Sequence, residues 1–307
     1  MKLCGSAVAA LAVALLLSGT ALAKGQRLPA HRTTLSLYER DARPGRLASQ
    51  GCAAARRGER GVVILDFGKP AFAGRGPGRG YGTIDFSDRF LSNHRITVGM
   101  LGWARGYVRC LPRHSTAVVT LARGTSNYSP SVPSTWTAGK HWAAGVLALE
   151  RKLGRHGLNT HVKSAAAEDA EPAWDRSFRQ TRRFIHGFRR YAHGRTLYDY
   201  GSLDGGVGAI WSARQMMDVT GGSGHTVVLP EIYYPSLARE WAHLAYIAHR
   251  RFHRRVRFGG VMTQAMPGCG RCGFRPLEAH RALVHALASW GGGKTFVPRF
   301  GTNIVRG

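Results

Sequence analysis

From about residue 61 onward, short apolar runs alternate with longer stretches in which apolar residues recur every three or four positions. "GVVILDFG" (61–68) predicts a buried strand, "STAVVTLARG" (115–124) a second, and "NTHVKSAAAEDAEP" (159–172) a third. "TLYDYGSLDGG" (196–206), "HTVVLPEIYYP" (225–235), "VRFGGVMTQ" (256–264) and "KTFVPRFGTNIV" (294–305) continue the series. Helical patterns fill the gaps at 86–110, 134–157, 175–194, 209–219, 236–251 and 276–290. In 175–194, Phe178, Thr181, Ile185 and Phe188 are spaced three, four and three, one buried stripe with the arginines outside. Ser236 stands where an N-cap belongs, ahead of a stripe of Leu237, Trp241, Leu244 and Ala248.

Strand and helix in alternation mean parallel βαβ units. A closed barrel and an open doubly wound sheet both satisfy that pattern. No G-x-G-x-x-G or P-loop follows the first strand, so no nucleotide cofactor is expected, and polar residues gather at the carboxyl ends of the strands. In a barrel those ends converge on one mouth. The expected fold is therefore α/β, a single (β/α)8-like (TIM-type) barrel, complete or irregular, over residues 61–307. Residues 24–60 are expected as an N-terminal extension, with a helix near Leu47 to Arg57 that carries Cys52.

The first 23 residues read as a secretory signal, with Lys2, an apolar run from Ala7 to Leu17, and "ALA" at 21–23. That run is shorter than the roughly 20 residues of a membrane span, so an exported protein without a transmembrane segment is expected. Past the signal stand Cys52, Cys110, Cys269 and Cys272. In an oxidising compartment an even count favours disulfides, Cys52–Cys110 with Cys269–Cys272 being the simplest pairing. A metal or redox site at "CGRC", near His280 and His285, is the rival. Its Cys-to-His gap is shorter than zinc fingers use, so no metal is expected.

The chain has 44 Lys and Arg against 17 Asp and Glu, a net charge of +27, and 37 of the basic residues are Arg. Such charge suits an anionic partner: a wall polymer, a lipid headgroup or nucleic acid bound without sequence preference. A solvated arginine-rich exterior accounts for it equally well.

Against that background the acids are concentrated. Asp66, Asp169, Glu171, Asp199, Asp204 and Glu231 fall at predicted strand exits, and "AAEDAEPAW" (166–174) holds three acids in four positions. Residues two apart on a strand face the same way. Asp169 and Glu171 therefore align with Ala165 and Ala167, while Glu168 faces oppositely, and Asp66 shares a face with Val62 and Ile64. Neighbouring carboxylates repel each other's charge, so one keeps its proton to higher pH. A protonated acid beside an ionised partner is what glycosidic cleavage requires. Trp174, Tyr198, Tyr200, Tyr233 and Tyr234 lie within or just beyond strand ends, where aromatic faces suit sugar rings. Glu231 and Gln264 complete the candidate substrate contacts.

"VVILDFG" followed by the Asp-x-Glu of "EDAEPAW" resembles glycoside-hydrolase-like barrels, including family-25-type lysozymes, on Asp66, Asp169 and Glu171. The wider run "EDAEPAW … LYDYGSLDG … LPEIYYP … GGVMTQ", within residues 60–265, is similar to a group of secreted bacterial barrel proteins defined by their fold more than by a settled activity. The lysozyme resemblance implies Glu171 as general acid, Asp169 as the group steadying the substrate's N-acetyl group or the developing cation, and Asp66 as a residue shaping the site.

Blander readings stand beside these. Asp169 and Glu171 can pair with arginines such as Arg123, and Asp199 and Asp204 can fix the "GSLDGG" turn through side-chain to backbone bonds. A serine hydrolase is excluded, because "GGSGH" (221–225) lacks the final Gly of the nucleophile elbow and precedes a strand. His249 and His253 sit in "HRRFHRR", where positive charge opposes a metal. Three functions remain: a secreted glycosidase acting on polysaccharide or peptidoglycan glycan, a non-catalytic barrel that binds cell-wall glycan or an anionic polymer through its basic surface, and a basic protein that binds nucleic acid or acts on membranes.

Overall fold

The structure, a computed structural model, describes residues 31–306 apart from 222–224, 266–272, 291–294 and 296. The expected signal segment at 1–23, and the expected Cys269–Cys272 pair, lie outside the described residues. Eight parallel strands form one sheet: β1 (Arg32–Tyr38), β2 (Gly61–Asp66), β6 (Val119–Ser126), β7 (Val162–Asp169), β8 (Leu197–Asp199), β9 (Thr226–Val228), β10 (Val261–Thr263) and β11 (Phe300–Arg306). They run β10-β11-β1-β2-β6-β7-β8-β9 across the sheet. The two ends meet through parallel bridges, Val228 with Phe258 and Glu231 with Met262. Four backbone bonds of 2.7–3.0 Å reinforce that seam, among them Val228 N–H to Arg257 and Ile232 N–H to Met262. The fold is a (β/α)8-type barrel whose closing seam is made by short stretches of chain.

Among the described residues seven helices alternate with these strands: α1 (Pro44–Arg56), α2 (Asn93–Cys110), α3 (Thr135–Arg155), α4 (Arg179–Tyr191), α5 (Ala213–Thr220), α6 (Pro235–Phe252) and α7 (Pro276–Ser289). Their starts follow local chemistry. The Ser92 and Ser134 hydroxyls accept from backbone N–H groups of α2 and α3, and Ser212 with Gln215 makes a capping box on α5. Ser236 is not a cap: α6 begins one residue earlier, with Pro235 in its first turn, where a missing N–H costs nothing.

Residues 32–56 are not an extension ahead of the barrel. They supply its first strand and helix, because β1 pairs with β11 along seven residues and with the end of β2. The expected helix over 86–110 also divides: β3 (Lys69–Phe72), β4 (Tyr81–Ile84) and β5 (Phe90–Ser92) form a small antiparallel sheet, and the helix starts only after Ser92. That sheet follows β2 and stands beside the carboxyl end of the barrel.

Two apolar cores result. The larger lies between the outer face of the barrel and the helices, around Leu47, Trp103, Leu121, Trp142, Phe188 and Trp241. The smaller fills the barrel with Val62, Ile64, Ala122, Ala165, Ala167, Tyr200, Leu229, Met262 and Ile304. Small residues on β6 and β7 leave room for the long side chains opposite. At Gly124 an added Cβ would come within 2.7 Å of Ile64 and 2.9 Å of the Asp66 backbone, so that position must stay bare. A disulfide joins Cys52 on α1 to Cys110 at the end of α2, as the simplest sequence pairing expects. Among the described residues no helix is long and apolar enough to cross a membrane.

Candidate functional site

Strand parity decides which acids reach the barrel mouth. Ala165 and Ala167 point inward, and Asp169, two residues on, ends β7 beside Asp66, which ends β2 after the inward Val62 and Ile64. Both line a cleft of about 510 Å³. Carboxylate oxygens of Asp169, Glu171 and Glu231 lie within 4.8 Å of one another. Glu168 faces the opposite way, buried near Arg189 and Asp199 between β7 and α4.

Each carboxyl of the cluster binds its proton more tightly than it would in water. Burial raises Asp66 to about 6 against two donors that favour its charge, the Tyr200 hydroxyl at 2.7 Å and the Gly68 N–H at 2.8 Å. Glu171 rises to about 7 through burial and the nearby Asp204, opposed by hydrogen bonds from Ser202. Glu231 rises to about 8, again chiefly from burial and then from Glu171, while the Tyr233 hydroxyl donates to it. Asp169 is also pushed well up: it is buried, faces Glu231, Glu171 and Asp66, and one of its oxygens has no partner. Among the described residues no arginine or lysine forms an ion pair with any of the four. Arg123, the pairing partner considered from sequence, points out of the barrel beneath Trp142, 3.9 Å from the ring centre, and donates to Thr97. Proton sharing therefore replaces ion pairing at this site.

Three close carboxylates are also a set of hard oxygen ligands, so Asp169, Glu171 and Glu231 could hold a divalent cation such as calcium. Below about pH 7 the protons they retain compete with such an ion.

The 169–171 corner is held by a residue that sequence reasoning missed. Asn127, just beyond β6, accepts from the Glu171 N–H at 3.1 Å and donates to the Glu171 carbonyl at 2.9 Å. Its own N–H donates to the Asp169 carbonyl at 3.1 Å. A side-chain amide in a loop gives no periodic signal, which is why it was not legible. Asp204 fixes the opposite loop, accepting from the Ala173 N–H at 2.7 Å and from Ser202. Asp199 accepts from the Gly201 N–H. Both acids thus brace the glycine-rich turn in the way the sequence allowed.

The aromatic residues divide. Trp174 lines the cleft, edge-on to Tyr128 at 5.6 Å, with Lys69 over the Tyr128 ring. Tyr38 and Phe86 form the other wall, their centroids 4.7 Å apart. Tyr38, Phe86 and Tyr128 were not singled out from sequence; the first ends the unrecognised β1, and Phe86 follows the unrecognised β4. Tyr200 is wholly buried and serves Asp66. Tyr198 fills the barrel interior and bonds Thr120 near the start of β6, away from the mouth. Tyr233 is half-buried on Glu231, and Gln264 is half-buried one residue past β10. His280 is buried against His31 and the Val297 carbonyl. The "CGRC" cysteines lie outside the described residues.

No protein-family model matches the chain, and neither does any curated protein. Among solved structures, a GH53 catalytic domain from Ignisphaera aggregans aligns with 82% of this chain and 76% of its own at 12% identity, with a TM-score of 0.42. A likeness that distant carries no argument, and the barrel is read from its strand pairings.

Proposed function

We propose that this protein is a secreted glycosidase that cleaves a polysaccharide or the glycan of peptidoglycan by carboxylate acid–base catalysis. The observation that carries the reading is a cluster of three carboxyls, Asp169, Glu171 and Glu231, joined through Asp169 to an aromatic-walled cleft that Asp66 also lines. Near pH 6.5 the values separate by role. Asp66, at about 6, is the first to ionise; Glu171, at about 7 and half-buried, still carries a proton where a substrate can reach it.

Glu171 then donates its proton to the leaving glycosidic oxygen as the C–O bond breaks, the Asp66 carboxylate stabilises the oxocarbenium-like charge, and a water adds to the anomeric carbon and returns a proton to the Glu171 carboxylate. Asp169, whose affinity for a proton is raised by burial and by Glu231, lines the cleft beside Asp66 and can hydrogen-bond the bound sugar. Trp174 and Tyr128 on one wall, with Tyr38 and Phe86 on the other, supply apolar faces for pyranose rings. The Cys52–Cys110 disulfide supports export to an oxidising compartment, in keeping with the leader at 1–23.

The test is reducing-end release from purified bacterial walls and from a panel of soluble polysaccharides, comparing the mature protein with Glu171→Gln. Release that drops at least a hundredfold in the variant supports the assignment. No release by the unaltered protein, with glycan binding the same in both, makes this a non-catalytic glycan-binding barrel.

A further inference from the structure

Among the described residues a second concavity is larger than the cleft. It is a groove of about 980 Å³ on the barrel flank, bounded by α4, α5 and the end of α6. Arg179, Arg182, Arg183 and His186 descend one face of α4 at positions i, i+3, i+4 and i+7, spanning about 10 Å. Arg214 from α5 and Arg254 from the turn after α6 face them across the groove. All six side chains belong to exposed residues.

One acid, Asp218, enters this group; it engages His186 at 3.3 Å, Arg182 at 3.8 Å and Arg189 at 4.0 Å. Arg179, Arg183, Arg214 and Arg254 form no ion pair among the described residues. Four guanidinium groups around one concavity repel each other, and an anion bridging them removes that cost. Two helix N-termini open into the same groove: Ser177, Phe178 and Arg179 at the head of α4, and Arg214 with Gln215 at the head of α5. Both starts are capped from within, Thr181 N–H by the Asp175 carboxylate and Gln215 N–H by the Ser212 hydroxyl, so the positive field of the groove comes from its arginines.

We propose that this groove binds a flexible polyanion whose repeating charge is a phosphodiester, of the kind that links polyols or sugars in bacterial wall polymers. Every cation lining it is arginine except His186, and the planar guanidinium fork matches phosphate oxygens in pairs. None of the exposed large apolar side chains lies in the groove: Trp136 is half-buried and edge-on to Tyr191, Phe178 is buried, and Phe252 is half-buried with Arg214 over its ring. Neutral sugar rings and unstacked bases both need such platforms, and those belong to the cleft. The groove reads charge, and it would anchor the protein on anionic wall polymer while the cleft works on neutral glycan. The groove stands whether or not the cleft is catalytic.

The experiment measures binding of poly(glycerol phosphate) at 50 and 200 mM NaCl, with dextran and a single-stranded oligonucleotide of equal charge as comparators. Two quadruple Arg→Gln variants lose the same net charge. One changes Arg179, Arg183, Arg214 and Arg254; the other changes Arg56, Arg113, Arg151 and Arg155, exposed residues elsewhere. The proposal expects at least a tenfold loss of affinity and a salt slope shallower by about three in the groove variant. The control variant should stay within threefold. Asp218→Asn, which removes the one acid, should bind about two- to threefold tighter, a gain that misfolding cannot mimic. Equal losses in the two quadruple variants overturn the proposal in favour of diffuse charge. Oligonucleotide binding tenfold tighter than that of the polyol phosphate, lost in the groove variant, overturns it in favour of a nucleic-acid site.

Discussion

The Tyr200 hydroxyl donates to the Asp66 carboxylate at 2.7 Å, across a sequence separation of 134 residues, inside the barrel. This bond and the Gly68 N–H favour the charged form against the cost of burial. Tyr200→Phe removes one of the two donors. Asp66 should then hold its proton to higher pH, and the acidic limb of the kcat/KM profile should move upward. Stability should drop by about 1–2 kcal/mol. An unchanged pH profile would mean that Asp66 takes no part in the rate.

Stability should fall as pH rises. Burial lifts Glu39 to about 7, Asp66 to about 6, Glu171 to about 7, and Asp199 and Glu231 to about 8. Unfolded, such groups titrate near 4. The native state therefore binds more protons between about pH 4 and 8, and the stability these groups contribute is lost as pH climbs through their folded values. His31 and His141, lowered chiefly by burial, act with the opposite sign but are only two groups, both partly exposed. Thermal melts at constant ionic strength should give a Tm that declines from pH 5 to pH 8. A Tm that climbs over that interval contradicts the raised values.

Trp174 and Tyr128 meet at 5.6 Å on one wall of the cleft. Replacing either with Ala should remove about 1 kcal/mol of ring contact, raising KM roughly fivefold with little change in kcat. A fall confined to kcat would move these rings from binding to the chemical step.

Asn127 makes three hydrogen bonds to the 169–171 corner. Asn127→Ala should lower kcat more than it raises KM, because Glu171 would lose its placement while the cleft walls stay intact. The accompanying stability loss should be about 2–3 kcal/mol. Wild-type kcat in a folded variant would show that the backbone holds the corner unaided.

The Cys52–Cys110 bridge closes a loop with a sequence separation of 58. On the chain-entropy account such a closure is worth about 4 kcal/mol. The double Cys→Ser variant should melt about 10 °C lower. A shift within 2 °C would mean that the packing of α1 on α2 already restricts the unfolded chain.

Some of this protein is settled by local pattern alone. Buried strands such as Gly61–Asp66 are apolar on both faces, and α4 carries its apolar stripe at helical spacing, so both are legible without a structure. The two-residue period of strands likewise separates Glu168 from Asp169 and Glu171, since inward Ala165 and Ala167 set the parity. Other features depend on contacts between distant segments. β1 reads as polar chain because its strand character comes from pairing with β11, nearly 270 residues away. The small sheet β3–β5 is held by antiparallel partners, not by a run of apolar residues.

At the site, the sequence determined which acids sit at strand ends, because side-chain direction is local. The tertiary structure decided their chemistry, because proton affinity depends on burial and on neighbours brought from other strands. It set Tyr200 on Asp66, turned Arg123 away from Asp169, and placed Tyr38, Phe86 and Tyr128 around the cleft. It also gathered arginines from three helical segments around one groove, which no count of charges along the chain reveals.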